Sequence, residues 1–404
     1  MKILLSAFAC APSQGSEPEV GLRTVAAAAR AHDVWLLVNH EHAEFLASVD
    51  LGPRVEVVPV PLVWGIAART PGLAEQHLAY ALWQRRARRV ARDLHERIGF
   101  DLAHHVTLSS WWTDVGVAGL GIPLVAGPLS GAVNCPIGLF PVLGPRGAAE
   151  HAARWGVRAL GGARPSVRRN LASASHLLAN NQAVLAKVPS GPVAELFPHT
   201  ISTDIAGTPT PGRSGDDIVF AGRLPSWKGG TLAVRALSHL RHPSARLVVC
   251  GDGADRGRME RLASARGVTD RLVFAGKLSR DELLARVAGA AALLHPSVQE
   301  EGGMAVAEGL ALGTPVVVLD RGGPPATASM FPDSPSTVVR ATTPEATARR
   351  LAGALDEILA APAPAPGIRT PSVDYAGGLL AVYESCKRGG SRSSASTNRG
   401  LLRK

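Results

Sequence analysis

Apolar strand-like runs and helix-like patterns alternate along nearly the whole of this 404-residue chain. The alternation starts twice, each time with a buried-type strand running into a glycine-bearing loop, which is the signature of parallel sheets built from strand–helix–strand units. In the first half strands are predicted at Lys2–Phe8, Val34–Val38, Val55–Val60, Leu102–Val106, Leu124–Gly127 and Ser175–Ala179. In the second they are predicted at Ile218–Ala221, Arg246–Cys250, Arg271–Ala275, Ala292–His295 and Thr314–Leu319. Such a chain is too long for one ordinary core, so two domains of roughly 200 residues are expected. The seam falls in AGTPTPGRSGDD at 206–217, which has prolines, glycines and no apolar period. The expected layout is therefore 1–205 and 206–370. A second linker, APAPAPG at 361–367, lets a helical segment at 371–386 return to the first domain, and 387–404 form a tail.

Composition excludes several classes. Aromatic residues make up 4%, too few for a platform that stacks single-stranded nucleic acid, and no nucleic-acid partner is expected. The net charge of +10 points to an anionic partner, but six of the basic residues and no acidic ones lie in the last 18 positions. That Gly/Ser/Arg tail cannot bury enough apolar surface to fold and is expected to be disordered. Cys10, Cys135, Cys250 and Cys386 form no CxxC pair, so neither a zinc knuckle nor a disulfide framework is indicated and a reduced, cytoplasmic setting fits. The opening MKILLSAFACAPS imitates a signal peptide, yet its single Lys2 and short apolar run suit a first buried strand better. No run of about 18 apolar residues offers a membrane span. Within 78–98, Leu82, Val90, Leu94 and Ile98 recur at helical spacing while Arg85, Arg86, Arg88, Arg89 and Arg92 crowd the other side. Such a helix can lie on anionic lipid; a solvated face above an apolar stripe packed on the sheet is the more common arrangement.

The segment EEGGMAVAEGLALGTPVVVLDRGG at 300–323 carries the most chemistry. Glu300 and Glu308 flank the start of an amphipathic helix that opens with Gly302 and Gly303. A helix N-terminus stripped of side chains offers N–H groups and a positive dipole end to a diphosphate. Glu300 can accept hydrogen bonds from sugar hydroxyls, and Glu308, two turns on, can take a ribose diol. An ordinary surface helix with an acidic first turn has the same outline. Upstream, IVFAGRLPSWKGG places Arg223 and Lys228 in the loop after a buried strand, where open α/β sheets bind ligands. Two cations there can neutralise charge that builds on a departing diphosphate.

With these residues in view, the chain resembles the family 4 retaining glycosyltransferases, glycosyl transferases of group 1. The matching segments keep their order: GSEPEVG at 15–21, DLAHH at 101–105, GPLSGA at 127–132, AGRLPSWKGG at 221–230, CGDG at 250–253 and LHPSVQEEGGMAVAEGLALGTPVV at 294–317. The resemblance implies the GT-B architecture, two Rossmann-like α/β domains whose parallel sheets face each other across a cleft. It also implies that Gly15 and Ser16 meet the donor phosphates from the first domain while Arg223 and Lys228 meet them from the second. Gly302, Gly303 and Met304 would offer backbone N–H groups, and the turn through Lys277 and Leu278 would read the base through its main chain. The acceptor would meet the first domain, including Glu17. Two departures stand out: Gly302 replaces the family's usual phenylalanine or cysteine, and His104 and His105 are adjacent where many members space two histidines by one residue. His105 is expected to face the cleft and contact the donor sugar.

The chain has no Asp-x-Asp pair, so no metal and no further cofactor are expected. The implied partners are a nucleoside-diphosphate sugar, UDP- or GDP-linked, and a hydroxyl acceptor such as a lipid-linked intermediate or a natural product. Peripheral contact with the inner face of the cell membrane would accompany the former. Two other readings keep the same architecture: a nucleotide-sugar-binding protein without transfer activity, and a sugar-nucleotide epimerase. GDGADRG at 251–257 imitates a dinucleotide fingerprint, but Lys277 stands where that fold needs an acid for the ribose.

Overall fold

The computed structural model describes residues 1–12, 16–62, 73–197, 205, 208 and 212–389. Among these residues thirteen strands form two sheets, and every strand pairing there is parallel. The first sheet holds β1 (Lys2–Ser6), β2 (Asp33–Asn39), β3 (Val55–Val60), β4 (Leu102–His105), β5 (Leu124–Leu129), β6 (His176–Ala179) and β7 (Val193–Leu196) in the order β3-β2-β1-β4-β5-β6-β7. The second holds β8 (Asp217–Ala221), β9 (Arg246–Cys250), β10 (Leu272–Gly276), β11 (Ala292–His295), β12 (Val316–Leu319) and β13 (Ser336–Val339) in the order β10-β9-β8-β11-β12-β13. Both orders reverse direction beside their first strand, so each sheet has a switch point, between β1 and β4 and between β8 and β11. Chain leaving the strands there diverges to opposite faces and opens a crevice.

Both sheets are covered on both faces, which explains why their strands read as unbroken apolar runs. Alternate residues serve opposite cores: Leu4 packs on one side of the first sheet, Ile3 and Leu5 on the other. Ile218 and Phe220 of β8 are divided from Val219 and Ala221 in the same way. The two strands absent from the sequence reading, β7 and β13, are short edge strands with largely exposed or half-exposed residues, so they lack that apolar signal.

Two segments cross between the lobes. Helix Tyr375–Gly389 lies on the first sheet, with Leu379, Val382, Tyr383 and Cys386 in the core shared with Leu5 and Val34. It extends past Cys386, so Lys387 and Arg388 are helical rather than part of the tail; 390–404 lie outside the described residues. The second crossing runs the other way, from the first half of the chain into the second lobe. Leu139, Val142 and Leu143, placed by the sequence reading within the 1–205 domain, pack into the core of the second lobe with Leu232, Met259 and Leu355. Arg258 fastens them by donating to the carbonyls of Leu143 (3.1 Å) and Val142 (2.9 Å). Among the described residues no helix is long and apolar enough to cross a membrane.

Candidate active site between the two sheets

Lys228 reaches its place through a tight turn. Ser226–Lys228 form one 3-10 turn closed by Gly229 at φ 76°, and a Cβ on Gly229 would lie 2.1 Å from the Pro296 carbonyl oxygen. Only glycine fits both the left-handed backbone and that approach. The turn therefore packs directly on the chain leaving β11, and the Lys228 ammonium pairs with the Glu300 carboxylate. His295, at the end of β11, brings its Nε2 to 3.1 Å from the same carboxylate. Burial alone would raise the Glu300 pKa, but Lys228 and His295 hold the carboxyl well below its usual range. Burial acts on His295 in the opposite sense, lowering its pKa. Glu300 is thus an anion held beside a lysine at the switch point of the second sheet. Arg223, after β8, is exposed and has no hydrogen-bond or ion-pair partner among the described residues.

Gly302 and Gly303 are buried, and Gly303 caps helix Met304–Ala311 at φ 108°, a conformation that side-chain-bearing residues rarely adopt. Glu308 is buried on that helix and accepts from Arg280 at 2.7 Å. Burial raises its pKa, Arg280 opposes the rise, and Arg23 and Glu19 of the first domain also act on it. Glu308 therefore faces helix Ser16–Ala29 across the crevice. Lys277 is exposed and Leu278 half-buried in the turn after β10, and Ser16 is exposed at its helix start. Gly15 lies outside the described residues.

The first-domain side differs from expectation. His104 and His105 do point to opposite faces of β4, but neither reaches the crevice. His104 Nδ1 lies 2.7 Å from the Tyr383 hydroxyl and its Nε2 2.9 Å from the Gly127 carbonyl. His105 is 1% exposed, with Nε2 3.1 Å from the Tyr80 hydroxyl and Nδ1 unpartnered among the described residues. The reason is the chain that follows. Residues 106–108 fold over the strand end: Val106 donates to Ser6, Thr107 accepts from Ala9 and from Tyr80, and Leu108 turns at φ 51°. Burial lowers both histidines, His104 to about 4 and His105 to about 3, so both are neutral at physiological pH.

Sequence reasoning missed Glu301. Its carboxylate accepts from Val133 N–H (3.0 Å) and from the Asn181 amide (3.1 Å). Its carbonyl accepts from the amides of Asn180 (2.7 Å) and Asn181 (2.9 Å). Val133 follows β5, and the two asparagines follow β6, so the loop that carries Glu300 is tied to the strand ends of the opposite sheet. Burial raises the pKa of Glu301, against these bonds and the charge of Arg158. Glu17, across the crevice, is also raised by burial; the Leu108 N–H opposes this and Glu301 adds to it. The paired acids before the glycines and the Asn-Asn after an apolar strand were visible, but nothing in the sequence joined them. Of the basic face at 85–92, Arg86 and Arg88 are spent on the carbonyls of Pro61, Leu62, Val115 and Gly116.

Two switch points face each other, joined by one acidic loop and edged with cations. Residues 212–361 match the family described as glycosyl transferases group 1. Among curated relatives, the 2-deoxystreptamine glucosyltransferase of Streptomyces kanamyceticus is 39% identical over 115 residues, 28% of this chain and 30% of that protein. The D-inositol 3-phosphate glycosyltransferase of Acidothermus cellulolyticus is 34% identical over 117 residues, 26% of each chain. The chain thus aligns with less than a third of the length of these relatives. Solved structures extend the likeness to the whole fold. Sucrose-phosphate synthase of Thermosynechococcus elongatus superposes with a TM-score of 0.60 at 17% identity, covering 97% of this chain and 100% of that one. HepE of Anabaena, in complex with UDP, gives 0.53 at 16% identity over 95% and 100%. The architecture is GT-B.

Proposed function

We propose that this protein is a retaining glycosyltransferase that moves a sugar from a UDP- or GDP-linked donor to a hydroxyl of an acceptor, without a bound metal. The observation that carries the reading is the Lys228–Glu300 pair at the second switch point, beside the glycine-opened helix and the free Arg223. The match of 212–361 to a glycosyltransferase family and the UDP complex of a protein with the same fold support it.

In this mechanism the incoming diphosphate takes Lys228 from Glu300. Lys228, Arg223 and the N–H groups at Gly302, Gly303 and Met304 then face the two phosphates, with Ser16 closing from the other lobe. Glu300, released, accepts hydrogen bonds from the donor sugar, and Glu308, steadied by Arg280, takes the ribose hydroxyls. The turn at Lys277 and Leu278 holds the base through its main chain. As the bond to the anomeric carbon lengthens, negative charge grows on the leaving phosphate, and fixed cations stabilise that charge more than they stabilise the ground state. No carboxylate is assigned as a nucleophile. The acceptor hydroxyl attacks from the face the phosphate leaves and loses its proton to the departing oxygen, which retains configuration. Shielding by the closed lobes limits hydrolysis. His105 contributes by bracing Tyr80 and the 106–108 turn, not as a base.

The direct test is transfer itself. Purified protein is given UDP-glucose or GDP-mannose with an acceptor panel, in buffer with and without EDTA. Formation of an α-linked product from an α-linked donor, unaffected by EDTA, is the expected result. Donor consumption that needs no acceptor would favour the epimerase; binding without turnover would leave a nucleotide-sugar-binding protein.

A further inference from the structure

The first domain contains a cavity of about 620 Å³ between helices Leu73–Ile98 and Phe140–Ala163, floored by Trp112, Thr113 and Asp114. Its size is that of small-molecule sites. Tyr80, Ala81, Trp112, Val157 and Leu160 give it mainly apolar walls, and Leu160 is 75% exposed, so nothing among the described residues covers this surface. Uncovered apolar surface gathered in a concavity marks a binding site more often than apolar residues scattered singly.

Its charge is one-sided. Arg85, Arg88 and Arg164 line the cavity against a single acid, Asp114. Asp114 is already engaged by Arg164 at 2.6 Å and by Asn170 at 3.4 Å, so no carboxylate is left for a cationic ligand. Arg88 is spent on carbonyls, whereas Arg85 is exposed and has no partner among the described residues. Arg158 and Arg154, on the wall helix, add positive potential felt at His77. The cavity lies behind the enclosed wall at the end of the first sheet: Tyr80 bonds His105 at the end of β4, and Trp112 packs on Gly131 of the loop after β5, where a Cβ would lie 2.6 Å from the indole nitrogen.

We propose that this cavity binds the acceptor, and that the acceptor is an anionic amphiphile whose apolar body lies against Trp112, Val157 and Leu160 while its phosphate or carboxylate meets Arg85. The identification of the ligand as the acceptor rests on the transferase reading; the cavity's preference for an anionic amphiphile does not.

The test is calorimetry on the full chain with octyl phosphate, octanol and octylammonium, each below its micelle-forming concentration. Vesicles of phosphatidylcholine with and without phosphatidic acid distinguish a lipid source from a free acid. Octyl phosphate should bind about tenfold tighter than octanol, and octylammonium should not bind. Arg85→Glu should erase the preference, and Ala81→Trp, which fills the cavity from an exposed position, should abolish binding; both should keep the wild-type melting temperature. Equal affinity for phosphate and alcohol overturns the anionic assignment. Binding unchanged in Ala81→Trp, or binding to acidic vesicles with none to monomeric octyl phosphate, overturns the cavity. UDP and GDP titrated into the same preparation separate the two readings. No heat with UDP or with GDP, octyl phosphate binding intact, removes the transferase and leaves the cavity; nucleotide heat without phosphate preference removes only this proposal.

Discussion

The two sheets reverse their strand order at equivalent places, yet their switch points are furnished in opposite ways. At β8 and β11 the side chains are ionic and partly solvent-facing: Arg223, Lys228, Glu300 and, on the next helix, Glu308. At β1 and β4 they are enclosed and bound inward: His104 held by Tyr383, His105 by Tyr80 and, on the next helix, Glu17 accepting from the Leu108 N–H. Identical topology therefore provides only a crevice; what it can hold depends on the loops. A site for a diphosphate needs fixed charge that a polyanion can reach, whereas a site for a neutral sugar face and an acceptor needs a dry, rigid wall that keeps water away.

The comparison breaks first at Lys228. Replacing it or Arg223 by alanine should reduce turnover about a hundredfold or more, because both act on charge that develops late. Steady-state rates measured on both variants check this, and unchanged kcat in both would place the chemistry elsewhere. Next comes Glu308→Ala, which removes a charged acceptor from the ribose position. A loss of roughly 1.5–3 kcal/mol, or about ten- to a hundredfold in UDP affinity, is expected by calorimetry. Unaltered affinity contradicts the ribose role. Glu301→Ala tests the joint between the two sides. It strips two acceptor bonds from Val133 and Asn181, each buried donor left unpaired costing about 1–3 kcal/mol. Turnover should fall more than UDP affinity, and X-ray scattering should show a larger radius; a variant with wild-type radius and rate denies the joint any part.

The smallest effect at neutral pH concerns the enclosed wall. His104 and His105 have folded-state pKa values depressed to about 4 and about 3 from an ordinary value near 6.5. Above 6.5 both states are neutral and the histidines make no pH-dependent difference. As pH falls below 6.5 the unfolded chain takes up protons that the folded chain refuses, so stability declines down to the folded values. Denaturant midpoints measured between pH 7 and pH 4 should fall, and His104→Asn should flatten part of that slope. A flat profile in the parent protein would show that these rings are hydrated.

Legibility followed the same division. The inner strands could be read because each is buried on two faces, and β9 and β11 fall at the residues expected; the edge strand β3 also falls at the residues expected, marked by its run of valines. Glu300, Lys228 and Gly303 could be read because their chemistry is local: a glycine turn after a strand, a helix start. The enclosed side could not. Whether His105 meets the crevice depends on Leu108 adopting a left-handed turn and on Tyr80 arriving from 25 residues upstream. Glu301 depends on Asn180 and Asn181, which precede it by 121 and 120 residues. The imitation fingerprint at Gly251 and Gly253 also resolves only in three dimensions, because Cβ atoms there would strike the backbone of Gly222 and Leu224. Those glycines serve packing between two loops of one sheet.

The plug formed by Leu139, Val142 and Leu143 means that the stretch recognisable as a glycosyltransferase family, 212–361, is not a self-sufficient body. Excised on its own, it would present an unfilled apolar socket to water and is expected to aggregate. Chimeras that exchange it between homologues will inherit a socket shaped for another protein's plug. Recombination breakpoints chosen from the linker alone would therefore fail, and co-transfer of the 137–148 stretch becomes the requirement for grafting one second lobe onto another first lobe.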